Sequence, residues 1–140
     1  MPIKENITQI DVIMALEPQA ITTDTTTTGA IIDTKDYDLG VGFAMLVNGY
    51  TDGTYTLKLE DGDDSGLSDA AVVPTASLVY GTLPDLAAAL SEGDLMPKEG
   101  IHSTKRYVRA SIVSTSTSSG ATGVAVVAVC KKEICPTDQE

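Results

Sequence analysis

The stretch LGVGFAMLVNGYTDGTYTLKLED, from Leu39 to Asp61, decides the fold. Val41, Phe43, Met45 and Val47 recur at every second position of its first half, and Tyr55, Leu57 and Leu59 do the same in its second. A period of two belongs to strands with one face on a core, because successive side chains leave a strand on opposite faces. Between the runs lies Asn48-Gly49-Tyr50-Thr51-Asp52-Gly53, rich in residues that accept turn dihedrals and containing an Asp-Gly pair. The expectation is a β-hairpin pairing Val47 with Tyr55, Met45 with Leu57 and Phe43 with Leu59. That register keeps every large side chain on one face.

Composition extends this to the whole chain. At 140 residues the length fits one domain, large enough to bury a core without staples. Trp is absent and Phe occurs once, so Ala, Val, Ile, Leu and Thr carry the hydrophobic content. β-Branched residues punctuated by Gly favour an all-β domain with a thin aliphatic core, one that gains by associating with copies of itself or a partner. The net charge of −11 argues against a free nucleic acid as partner, because the surface would repel its phosphates. It suits a basic protein surface, or serves solubility alone.

Outward from the central stretch, Met1–Asn6 has no period and reads as a flexible N-terminal arm. Residues 7–130 read as the sandwich domain and 131–140 as a C-terminal tail. A first strand should run from Ile7 to Glu17-Pro18, a helix being the competing reading of that segment, followed by a short strand at Ala20–Thr23 and another at Thr27–Asp33. Short strands are expected at Ala71–Pro74 and Leu78–Tyr80, and a two-turn helix at Pro84–Leu90, where Pro opens a run containing three Ala. Gly93–Gly100 reads as loop. Lys105–Val113 and Gly123–Cys130 should form a second hairpin about a flexible Ser/Thr/Gly loop. The near-continuous apolar run after Gly123 fits a strand covered on both faces, in the middle of a sandwich or at a subunit contact. The fold class expected is all-β: a two-sheet β-sandwich of jelly-roll type with one short helical turn.

Residue chemistry points to no reaction. Asp61-Gly62-Asp63-Asp64-Ser65-Gly66 resembles half a calcium loop, but Val72 stands where the bidentate Glu belongs, so it reads as an acidic turn. His102 is the single imidazole and lies in a loop without a nucleophile motif, which favours a solvated histidine. Cys130 and Cys135 are the only thiols; with one histidine in the chain a structural zinc is not expected, and the absence of an apolar leader suggests a reducing compartment with both thiols free. No cofactor, metal or catalytic residue is assigned, and no membrane partner is expected. Arg106, Tyr107 and Arg109 form the one basic-aromatic cluster. Each arginine is either paired structurally with a carboxylate of this chain or free to contact a partner's.

Three stretches together resemble the head decoration (cement, or capsid-stabilising) proteins of tailed bacteriophages. They are Gly29–Tyr37 leading into Gly42–Val47, Asp52–Asp61 followed by Asp63-Asp64, and Lys105–Ile112 before the Ser/Thr/Gly segment. The order and spacing carry the likeness, with Val72-Val73-Pro74 in the place of a short Val-Pro strand. The resemblance implies a non-enzymatic jelly roll on the outer capsid surface of the virion, made in the host cytoplasm. It would tie together subunits of the major capsid protein lattice and self-associate there. Candidate capsid contacts are the arm residues Met1, Pro2, Ile3, Lys4, Glu5 and Asn6, with Arg106 and Arg109. The competing reading is a carbohydrate-binding or host-adhesion sandwich displayed on the virion.

Overall fold

The computed structural model describes residues 9–37, 40–102, 105–118 and 120–132. Its strands are β1 (Ile10–Ile21), β2 (Thr26–Asp33), β3 (Gly40–Asn48), β4 (Thr54–Gly62), β5 (Ala71–Val72), β6 (Asp85–Leu86), β7 (Lys98–Ile101), β8 (Tyr107–Thr115) and β9 (Thr122–Lys131). They form two antiparallel sheets. The front sheet has the order β1-β9-β3-β7, and the back sheet has β2-β8-β4-β5, with β6 also on β4. The pairings are nested: β1 with β9, β2 with β8, β3 with β7, and β4 with β5 and β6. A long antiparallel ribbon folded over itself has this pattern, and rolling it brings β9 onto β3 and β8 onto β4. That is a jelly roll.

The expected central hairpin is therefore not a hairpin. β3 and β4 lie in different sheets, and the turn between them carries the chain across the sandwich. The alternating residues still share one core, because facing sheets and a hairpin both point one side of each strand inward. Phe43, Met45 and Val47 from the front sheet and Tyr55, Leu57 and Leu59 from the back are all buried, as are Val108, Val126 and Ala128. The crossing turn is pinned by Tyr50 Oη donating to Gly53 O at 2.8 Å and Tyr55 Oη donating to Asp52 O at 3.0 Å. Gly53 has φ +89°, and a Cβ there would meet Thr117 Cγ2 at 2.7 Å and Thr115 O at 2.8 Å, so the position needs glycine.

The second expected hairpin is corrected in the same way, since β8 belongs to the back sheet and β9 to the front. The described part of its Ser/Thr/Gly linker is held down. Thr117 donates N–H and hydroxyl to Asp24, and Ser118 donates both to Asp52 Oδ2.

Pro18 does not end the first strand, which continues to Ile21 with register shifts between Met14 and Leu16 and between Leu16 and Gln19. β1 is an edge, where a proline and irregular pairing are tolerated. Pro84–Leu90 is not helical: Pro84 O accepts Leu57 N–H at 3.0 Å, and Asp85 and Leu86 pair with Thr56 and Tyr55. The helical turn is a 3-10 turn at Thr75–Ser77. Segment Gly93–Gly100, expected as loop, contributes most of β7.

The chain between β5 and β6 leaves the back sheet and joins the edge of the front one. Leu78 bridges Ile101, Val79 N–H donates to Gly100 O at 2.9 Å, and His102 N–H donates to Ser77 O at 2.7 Å. At the opposite side Gly29 lets β2 approach β1, since a Cβ there would strike the carbonyl oxygens of Ala15 and Ala110.

Candidate functional site

The arm residues Met1–Asn6 lie outside the described residues. The two candidate arginines can be placed. Arg106, just before β8, forms a two-pronged pair with Asp33 at the end of β2: Nε to Oδ1 at 2.9 Å and Nη2 to Oδ2 at 2.8 Å. Its guanidinium also stands 5.1 Å from the centre of the Tyr107 ring. The bonds from Arg106, and from Lys35 N–H, hold the Asp33 carboxyl down at about 2. Both side chains remain about half exposed, so the pair is accessible though satisfied.

Arg109 is committed differently. It lies on the outer surface of the back sheet, where Glu60 and Ile31 flank it across the strands. Its Nη2 donates to Glu60 Oε2, while Lys58 Nζ holds Oε1, both at 2.5 Å. Glu60 is buried, and its two cations, Lys58 first, keep its carboxyl below the usual range. The buried Arg109 Nε has no hydrogen-bond partner among the described residues.

The acidic turn spends its carboxylates on its own backbone. Asp64 Oδ2 accepts Gly66 N–H at 3.0 Å and Ser68 N–H at 3.1 Å, and Asp69 accepts Asp63 N–H at 2.8 Å and Asp64 N–H at 3.2 Å. Lys105 Nζ pairs with Asp63 at 2.6 Å. These bonds depress the pKa of Asp64 and Asp69, as expected of carboxylates capping a turn. Among the described residues, no three His, Cys, Asp or Glu side chains converge as metal ligands. His102 is exposed. Cys130 is a free buried thiol pushed up to about 11, chiefly by burial. Cys135 lies outside the described residues.

Two features went unread in the sequence. Glu99, placed in a loop by its Gly-flanked context, is buried at the edge of the sandwich and accepts Tyr80 N–H and Gly100 N–H on Oε1, both at 2.8 Å. Its Oε2 is buried without a partner among the described residues. The other is the outer surface of the front sheet. Val12, Val129, Gly42 and Gly100 form one row across the four strands, and Met14, Val127, Ala44 and Lys98 form the next. Val12, Met14 and Val129 are 64%, 56% and 40% exposed. Val79 lies over Gly100, so a groove of about 340 Å³ opens above Gly42 between Val79 and Val129, with exposed Tyr80 at its rim. The period-two pattern contained this signal: Val127 and Val129 fall out of phase with the core set Val124, Val126 and Ala128.

No family model matches the chain, and no curated protein matches it. Among solved structures it is similar to that of the infectious bursal disease virus Gx strain, at 12% identity and a TM-score of 0.44, over 88% of this chain and 33% of that one. It is also similar to the CBM22-1–GH10 modules of the Clostridium thermocellum N-terminal endo-1,4-β-D-xylanase 10B complexed with xylohexaose. That likeness has 12% identity and a TM-score of 0.38, over 93% of this chain and 27% of that one. The chain thus spans a third or less of the length of either. Its jelly-roll assignment rests on strand order and register.

Proposed function

We propose that this chain is a structural virion protein that seats on the outer surface of a phage head and ties neighbouring major capsid subunits together. The observation that carries the reading is the ordered set of three stretches that resemble head decoration proteins. They fall on β2 leading into β3, on β4 with its acidic turn, and on β8, all parts of one jelly roll. The net charge of −11 suits a basic capsid surface. Arm residues Met1–Asn6 are the proposed anchor, docking against a site shared by two or more subunits. Anchoring there draws on several simultaneous contacts, which exist only in an assembled lattice.

Co-sedimentation with expanded heads, procapsids and free capsid subunits tests this, using the full chain and one beginning at Ile7. Strong binding to expanded heads, weak binding to subunits and a large loss on removing the arm are expected. Equal binding to heads and free subunits overturns the lattice reading. If salt slows association more than it speeds release, acidic loops are steering the encounter.

One observation favours the carbohydrate-binding reading: Tyr80 is 63% exposed at the rim of the groove over Gly42. An exposed ring beside a groove can stack on a sugar face. A glycan array probed with the purified chain and with Tyr80→Ala separates the two, since a glycan signal lost in the variant would replace the capsid reading.

A further inference from the structure

From the outer surface of the front sheet we infer that it is a two-fold interface between two copies of this chain, stacked sheet against sheet. The inference does not depend on the capsid reading.

The argument begins with side-chain size. On this surface β9 and β3 are neighbours, and their outward residues pair as Val129 with Gly42 and Val127 with Ala44. Each pair joins a larger residue to a smaller one. A two-fold axis running along the strands between β9 and β3 lays each β9 over the partner's β3 in the same rows. Val129 then enters the groove over the partner's Gly42, and Val127 meets the partner's Ala44. A two-fold contact must be self-complementary in this sense. The same operation lays β1 over the partner's β7, so Val12 meets the partner's Val79 and Met14 lies along the aliphatic stem of the partner's Lys98.

Charge selects the occupant. Two chains of net charge −11 repel, so they can meet closely only where carboxylates are absent. The two outward rows through Val129 and Val127 contain no acidic residue and one cation, Lys98, which forms no salt bridge among the described residues. Across the axis Lys98 stands over the partner's β1 edge, where exposed Glu17 follows Met14 and is likewise without a salt bridge.

Area sets the strength. Four strands and the Val79 segment, over six residues of rise, give a flat face of about 480 Å². Stable interfaces bury about 800 Å² per partner, so the dimer is of micromolar affinity or weaker and its population follows concentration.

Gly42 provides the sharpest test. A Cβ at Gly42 would meet nothing closer than Glu99 O at 3.9 Å and Val129 O at 4.0 Å, so the monomer accommodates a larger residue that the dimer cannot. Sedimentation velocity of the purified full chain, from about 1 µM to about 1 mM, should show a monomer–dimer equilibrium. Gly42→Val should raise the dissociation constant at least about tenfold, by overfilling the groove. Adding Val129→Ala to it should restore much of the lost affinity by exchanging knob and hole. Lys98→Glu, at an exposed position that does not touch the core, should weaken the dimer by setting like charges together. Val72→Ser, on the back sheet, should leave it unchanged. A wild-type chain monomeric throughout that range overturns the proposal. So does a Gly42→Val chain, folded by circular dichroism, that dimerises like wild type, or a dimer lost through Val72→Ser instead.

Discussion

The two sheets bury equivalent inner faces and differ on their outer ones. On the back sheet, Lys58 and Arg109 both pair with Glu60 to form an ion triad within the chain. On the front sheet, Val12, Met14 and Val129 stand open to solvent across rows that include Gly42 and Ala44. Ion pairing occupies the middle of the first surface, with Ile31 and Val72 exposed to either side of it. The second is an unfinished layer, with the residue types of a core and, among the described residues, nothing on top. In a protein with this much negative charge, such a surface is where association meets least opposition.

The largest effect should come from the shared interior, where the comparison ought to vanish. Phe43→Ala in the front sheet should cost about 3–5 kcal/mol and Leu57→Ala in the back about 2–5 kcal/mol in urea unfolding, since both leave cavities. If one were near zero, the two inner faces would not be equivalent.

Next is the ion triad. Glu60→Ala strands Arg109 and Lys58 on a partly buried surface and should cost about 1–3 kcal/mol. Glu60→Gln, which keeps the shape, should lose less. Val12→Ser on the front sheet should change the stability of dilute protein by less than about 0.5 kcal/mol, as a surface site does. A larger loss at dilution would mean that surface is already covered within the chain.

The smallest effect should be at the rim. Asp33 is held at about 2 by Arg106, against an ordinary value of 3.8. A depressed carboxyl contributes stability at higher pH that disappears as it is protonated in the folded state. The advantage of wild type over Asp33→Asn should therefore be complete above about pH 4 and gone near about pH 2. Paired unfolding curves between those limits check the sign, and an advantage that grew on acidification would refute the pairing.

The period-two pattern made the core legible, and Phe43, Met45, Val47, Leu57, Leu59, Val108, Val126 and Ala128 are all buried. Which strands pair was not legible, because backbone hydrogen bonds leave no mark on side-chain alternation. A hairpin and two facing strands bury the same residues of Leu39–Asp61. The helix expected at Pro84–Leu90 failed because propensity is a weak preference beside the unpaired edge of β4, whose Leu57 N–H, Thr56 and Tyr55 that segment satisfies. Arg106 and Arg109 stood out as a cluster, but their carboxylates lie far along the chain, at Asp33 and Glu60. Glu99 was invisible as a buried group because its partners are backbone N–H groups, which every residue but proline possesses.

The nested pairing of the strands has a consequence for how the molecule is made. Ile10, near one end, is registered with Lys131, roughly 120 residues later, and Lys132 N–H reaches back to Gln9 O. During synthesis the front sheet cannot close until β9 has left the ribosome, because β9 is its second strand and joins β1 to β3. Until then β1 and β3 wait as separate edges with Phe43, Met45 and Leu16 uncovered, so folding should be slow and wait for β9. The low aromatic content and net charge of −11 keep nascent chains apart during that wait.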